Sequence, residues 1–170
     1  MSLNPEPRFL VNPDSDPIAL RVEGKATFKN CACVKDFMDE QIAAGKRRFV
    51  MDFENCVGMD STFLGVMAGS AIQLRKTQPR GSLVVSGLNE RNRELVSNLG
   101  LDRLLTVDEQ AKVPPTAANG AALKTEALSD DLVAARTVLD AHRNLVEADG
   151  ENAAKFQDVI KLCSRQLGED

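Results

Sequence analysis

Val50-Met51-Asp52-Phe53-Glu54-Asn55-Cys56-Val57-Gly58-Met59-Asp60-Ser61-Thr62-Phe63-Leu64-Gly65-Val66-Met67 is the stretch on which the fold turns. Residues 48–53, Arg-Phe-Val-Met-Asp-Phe, form a compact run of β-forming and apolar side chains, which predicts a central strand. Glu54-Asn55 reads as a turn, and a short loop then leads to Asp60-Ser61-Thr62. From residue 62 to 76 the apolar positions Leu64, Met67, Ala71 and Leu74 trace one face of a helix, closed by Pro79 and Gly81. Ser61 therefore stands at a helix N-terminus, where unpaired N–H groups and the positive end of the helix dipole face outward. From the residues alone, its hydroxyl serves as a cap or as a phosphoacceptor at an anion-tolerant position.

Working outward, Ile18-Ala19-Leu20-Arg21-Val22-Glu23-Gly24 alternates as a half-buried strand does. Val34, Phe37, Met38 and Ile42 recur at helical spacing over residues 31–44, and Gly45 stops that helix. Ser82-Leu83-Val84-Val85-Ser86 predicts a third core strand. Asn89 can then cap a helix that ends at Gly100, and Leu104-Leu105-Thr106-Val107 suggests a short last strand. Strands alternating with helices predict an α/β domain with parallel later strands, spanning residues 18–111. Residues 1–17, rich in Pro and Asp, are expected to be a flexible N-terminal segment, and the Pro, Ala and Gly of residues 112–123 a linker.

Residues 124–170 are different in kind. Leu128, Leu132, Ala135, Leu139, His142 and Val146 form a heptad-like seam, with Ser129 or Asp130 placed to cap it. After Gly150, Phe156, Ile160, Cys163 and Leu167 resume the pattern. A helical hairpin with two narrow apolar stripes is predicted. It must pack on the α/β domain or, as a homodimer contact, on a second copy.

Composition removes several function classes. Among 170 residues there are 21 Lys and Arg against 25 Asp and Glu, and Trp and Tyr are absent, which leaves neither a basic stripe nor stacking platforms for nucleic acid. Before residue 124 the charges balance at 15 of each sign, so the whole net charge of -4 resides in the tail. No apolar run reaches the roughly 20 residues of a membrane span, and a cytoplasmic protein is expected. Cys31, Cys33, Cys56 and Cys163 form neither a CxxC pair nor a zinc pattern, so reduced, mostly buried thiols are expected.

Met59-Asp60-Ser61-Thr62-Phe63-Leu64-Gly65-Val66 after an aliphatic strand, together with Gly81-Ser82-Leu83-Val84-Val85-Ser86-Gly87-Leu88 and Leu99-Gly100-Leu101, resembles a STAS domain of the anti-sigma-factor antagonist family. The resemblance covers residues 18–108. It implies a STAS-like mixed sheet with helices, to which the C-terminal helical hairpin is an addition. It further implies that Ser61 is phosphorylated by a partner anti-sigma factor acting as a serine protein kinase. The unphosphorylated form would bind that partner and the phosphorylated form release it, until a phosphatase restores it, so regulating sigma-factor-dependent transcription. Asp60, Ser61, Thr62, Phe63 and Gly65 are the partner-binding residues it implies, and Thr62 is a second candidate acceptor. Phe63 is bulky for its place, and both a partner contact and core packing are open to it.

Other readings carry less. One histidine, His142, on a helical stripe gives no Ser-His-Asp arrangement, and Gly58 and Gly65 lack the spacing of a phosphate loop. Asp52 and Asp60 have simpler roles as a strand-end carboxylate and a helix cap than as magnesium ligands. No catalytic residue, metal or cofactor is predicted. The rival function is a non-switching STAS subunit of a signalling scaffold or lipid-transport complex, which the added hairpin favours.

Overall fold

The alternating strand predicted from Ile18 is the longest in the molecule, and the rest of the fold is arranged around it. The structure, a computed structural model, describes residues 6–116, 121–125 and 130–169. Strand β1 (Arg8–Asn12) runs antiparallel to β2 (Ile18–Ala26). Helix α1 (Ala32–Ala43) follows, then β3 (Arg48–Asp52), β4 (Cys56–Met59), α2 (Ser61–Arg75), β5 (Ser82–Ser86), α3 (Glu90–Asn98) and β6 (Thr106–Val107). The sheet order is β6-β5-β3-β2-β1-β7, where β7 is Ala121–Ala122. Neighbours from β2 through β3 and β5 to β6 are parallel, as expected of strands joined by helical crossovers. The first half of β2 pairs with β3 and its second half with β4, again in parallel. Helices α4 (Asp131–Ala148) and α5 (Asn152–Leu167) form the C-terminal pair.

Three expectations are corrected by this topology. Residues 8–12 belong to the sheet and not to a flexible N-terminal segment. Phe9 and Val11 are buried in the main core, and five residue pairs set the register with β2. The loop after Asn55 is a strand, β4, because the carbonyl and amide groups of residues 56–59 find a free edge along the end of β2. The segment expected to be a linker returns to the sheet edge: Ala121–Ala122 pairs with β1, and the Leu123 amide donates to the Phe9 carbonyl at 2.8 Å. Strands as short as β4 and β7 carry no periodicity to read, and they form because an edge needs partners.

The main core lies between the sheet and the helices. Phe9, Phe49, Phe53, Phe63, Met38, Met51, Met67, Leu64 and Leu83 are its largest fully or almost fully buried side chains. Val34, Phe37, Met38 and Ile42 are buried on α1 as their spacing predicted. The hairpin has a second, smaller core of Ala135, Leu139 and Cys163, flanked by Val138, Val159, Ile160 and Leu167. Its seam departs from the predicted one: Leu132 is exposed, and Ala141 and Leu145 rather than Val146 reach the main core. The reason is that α4 has two neighbours. One stripe faces α5 and a second, rotated from it, faces α2, so a single heptad cannot describe both. Asp130 caps α4 by accepting from the Leu132 amide at 2.8 Å. Leu128 and Ser129 lie outside the described residues.

Candidate functional site at the start of helix α2

Asp60 occupies the capping position of α2. One carboxylate oxygen accepts from the Phe63 amide at 2.9 Å, and the other accepts from the Phe28 amide at 2.8 Å. This carboxylate therefore ends one helix and ties down the loop leading into another, and its charge complements the positive helix end. Both oxygens are occupied, so Asp60 is a structural residue before it is anything else. Asp52 is likewise engaged, with Arg21 at 3.1 Å and with the Glu54 amide at 3.0 Å.

Because Asp60 does the capping, the Ser61 hydroxyl is released from that role. It lies 2.8 Å from His142 Nε2, eighty-one residues away in sequence. The other ring nitrogen, Nδ1, is 2.7 Å from the Val138 carbonyl, which can only accept, so Nδ1 bears the proton. In the neutral imidazole Nε2 is then the acceptor, and Ser61 donates. The ring is 2% exposed and packs edge-on against Phe156, with centroids 4.9 Å apart.

Thr62 and Phe63, expected beside Ser61 as partner contacts, point the other way. Thr62 is buried and so is withdrawn as a second acceptor. Phe63 is fully buried, stacked on Phe9 at 6.0 Å and edge-on to Phe53 at 6.3 Å. Core packing is its role, because its place on the first turn directs the ring at the sheet.

Gly65 faces α4. A Cβ added there would fall within contact distance of the Ala141 carbonyl and side chain, and one at Gly69 would strike the Asn144 amide group. Ser61, Gly65 and Gly69 recur every four residues and form one stripe along α2. The backbone of α4 lies on that stripe, held by Ser61–His142 and by Asn144 Nδ2 donating to the Gly65 carbonyl at 3.2 Å. At the far end of the hairpin, buried Asn152 donates to the Leu99 and Leu145 carbonyls at 2.9 and 2.8 Å. The structure therefore brings together Asp60, Ser61 and Gly65 of the predicted set, and adds His142, Asn144 and Ala141, which sequence reasoning did not connect with them. One signal was available: residues 61–71 are apolar or small on every side, and a helix of that kind needs cover on both faces.

Chemically, Ser61 and His142 have the reach of a nucleophile and its base. The base is oriented by a main-chain carbonyl and not by a carboxylate, however, and the seat is filled by protein. An open groove of about 560 Å³ lies between α1, α2 and α4, but its walls are Lys35, Asp39, Ser70, Arg136, Asp140 and neighbours, not Ser61 or His142. Near the site, burial pushes the Cys31 thiol up to about 12, and the Asp60 carboxylate adds to the effect. Cys33 and Cys56 are pushed up to about 11 by burial as well. Among the described residues no group of three or more His, Cys, Asp or Glu side chains is placed to hold a metal ion. No helix among them is long and apolar enough to cross a membrane.

The class defined by these features is an α/β module with a mixed, mainly parallel sheet that presents a serine at a capped helix N-terminus. A family model described as "Mlab, STAS domain" matches residues 9–106, more than half of the chain, and the chain belongs to the STAS domain family. Its start at residue 9 agrees with the place of β1 in the sheet. Two solved structures share the fold, each at 16% identity and a TM-score of 0.50 over 60% of this chain. One is the Bacillus cell fate determinant SpoIIAA in its phosphorylated form, of which 92% is covered. The other is the anti-sigma-factor antagonist SpoIIAA in its unphosphorylated form, of which 89% is covered. No curated protein matches the chain. The two C-terminal helices lie outside the matched family segment.

Proposed function

We propose that this protein is a phosphorylation-controlled, non-enzymatic regulator that binds an anti-sigma factor when Ser61 is unphosphorylated and releases it when Ser61 is phosphorylated. The carrying observation is the division of labour at the start of α2: Asp60 caps the helix, and the Ser61 hydroxyl is left for another use. That SpoIIAA has been solved in both phosphorylated and unphosphorylated forms supports carrying the same chemistry to Ser61. A phosphoryl group adds about -1.5 to -2 charge beside Asp60, and desolvating both in an interface fitted to a hydroxyl disfavours docking. A loss of about 3 kcal/mol weakens binding by roughly two decades. The kinase is the anti-sigma factor itself, a phosphatase reverses the step, and the protein works in the cytoplasm on sigma-factor-dependent transcription. Self-association through the hairpin would use the exposed Leu132, Val133 and Leu162.

Incubating the protein with ATP and a candidate anti-sigma-factor kinase tests the reading. Ser61→Ala should abolish phosphate incorporation, and unchanged incorporation sinks the assignment. A second reading, a non-switching subunit of a signalling scaffold or lipid-transport complex, is favoured by the cover that α4 places over α2. Equal binding of wild type and Ser61→Asp to the anti-sigma factor would select it.

A further inference from the structure

The face of α2 that carries Ser61 is covered by part of the same chain, and the cover differs from a permanent core in its construction. Of the hairpin, Ala141 and Leu145 are the side chains buried within the main core, with Ala148 and Phe156 packed at its margin. The remaining apolar contacts of α4 and α5 form their own cluster around Leu139 and Cys163. The hairpin therefore has a small apolar cluster of its own, separate from the main core. Its polar groups at the seat are few and directional: Ser61–His142, Asn144 to the Gly65 carbonyl, Asn152 to the Leu99 carbonyl, and exposed Lys155 to the Asn98 carbonyl. An ion pair of Lys76 with Glu147 at 3.4 Å lies at the exposed margin.

We propose that the hairpin is a displaceable, autoinhibitory occupant of the α2 face, and that a partner docking there does so with a helix that takes the place of α4. The replacement helix must present a small residue where Ala141 meets Gly65, because the backbones touch there. Beside it must stand an acceptor for the Ser61 hydroxyl and, two residues further on, a donor for the Gly65 carbonyl, as His142 and Asn144 provide now. In the closed chain the half-buried Ser61 is hydrogen-bonded to His142, which is 2% exposed, so opening frees its hydroxyl from that partner. The identity of the α2 face as a partner surface rests on the function proposed above, whereas the opening of the hairpin as a unit does not.

Native-state hydrogen exchange on the full chain tests the opening without any kinase or partner. The amides of α4 and α5 should exchange through one shared opening and with less protection than those of β3 and β5. Ala141→Leu, which leaves every residue of α2 unchanged, overpacks the seat and should raise exchange in α4 and α5 by about ten- to a hundred-fold, with β3 and β5 unaffected. If the wild-type hairpin amides exchange only as slowly as those of β3 and β5, opening by global unfolding alone, the proposal is overturned, and this holds whether or not the variant folds. Isotopically labelled wild-type full chain mixed with full-length Ala141→Leu then probes the vacated face. The open face of the variant should accept the wild-type hairpin and give a mixed dimer by native mass, which two wild-type chains, each with its face occupied, do not form. Absence of a mixed dimer with a variant whose hairpin is open overturns the helix-for-helix exchange. Opening without Ser61 phosphorylation would remove the proposed switch and leave this inference standing.

Discussion

Two sides of one helix are packed by different rules. Toward the sheet, α2 presents Phe63, Leu64 and Met67, large side chains locked among other large side chains. Toward α4 it presents Ser61, Gly65 and Gly69, and the contact is made by backbone, an alanine and a handful of hydrogen bonds, with Leu145 the one large side chain that α4 buries in the main core. The first arrangement derives its strength from apolar area removed from water, which grows with side-chain size. The second derives specificity from close approach, and its polar groups recover water as partners when the surfaces separate. One face is built to stay shut, and the other to recognise.

That contrast can be broken by experiment, beginning where the largest effect is expected. Phe63→Ala should destabilise the whole chain by about 3–5 kcal/mol, read by chemical denaturation with every element melting together. A cost under about 1 kcal/mol would show that the ring is not part of the core. The cysteines report on the two cores separately. At pH 9 an unperturbed thiol is about half ionised, but Cys31, pushed up to about 12, should carry about a thousandth of the thiolate and resist iodoacetamide accordingly. Burial favours the neutral thiol, so the stability it contributes is complete below pH 9 and is lost as pH rises from there toward 12. Cys163, in the hairpin's own core, should be alkylated sooner than Cys31, and equal rates would argue for a single core.

Gly65→Ala should cost about 1–3 kcal/mol, confined to the α4 seat, because the new Cβ meets the Ala141 backbone. Denaturation should then show the hairpin leaving before the sheet, and one unchanged transition would count against two differently built faces. Asp60→Ala removes the α2 cap and should lower stability by about 1–2 kcal/mol. Lys76→Ala, which deletes an exposed ion pair with Glu147, should change stability by less than about 0.5 kcal/mol.

The sheet-facing side was legible in the sequence, and the other was not. Strand 82–86, the buried residues of α1 and the start of α2 follow from periodicity and capping chemistry, which are local properties of the chain. The STAS motif around Ser61 likewise placed the serine at a helix start. The partnership of Ser61 with His142 is not local, since nothing in a heptad seam says which neighbour it meets. The same applies to β7: Ala-Ala has no strand signature, and only the unpaired edge of β1 makes it one. Phe63 shows the opposite limit, for a motif position identified its place but not the direction of its ring.

The return of the chain to the sheet edge at Ala121–Ala122 has a further consequence for the hairpin. With Leu123 hydrogen-bonded to Phe9 and α4 beginning at Asp131, a contour of at most about 29 Å joins the anchored edge to the mobile element. A short tether of that kind holds its cargo at a local concentration on the order of millimolar. Any outside helix competing for α2 therefore meets a rival that dilution cannot remove, and its apparent affinity is set by the length of this tether as much as by the contacts it makes.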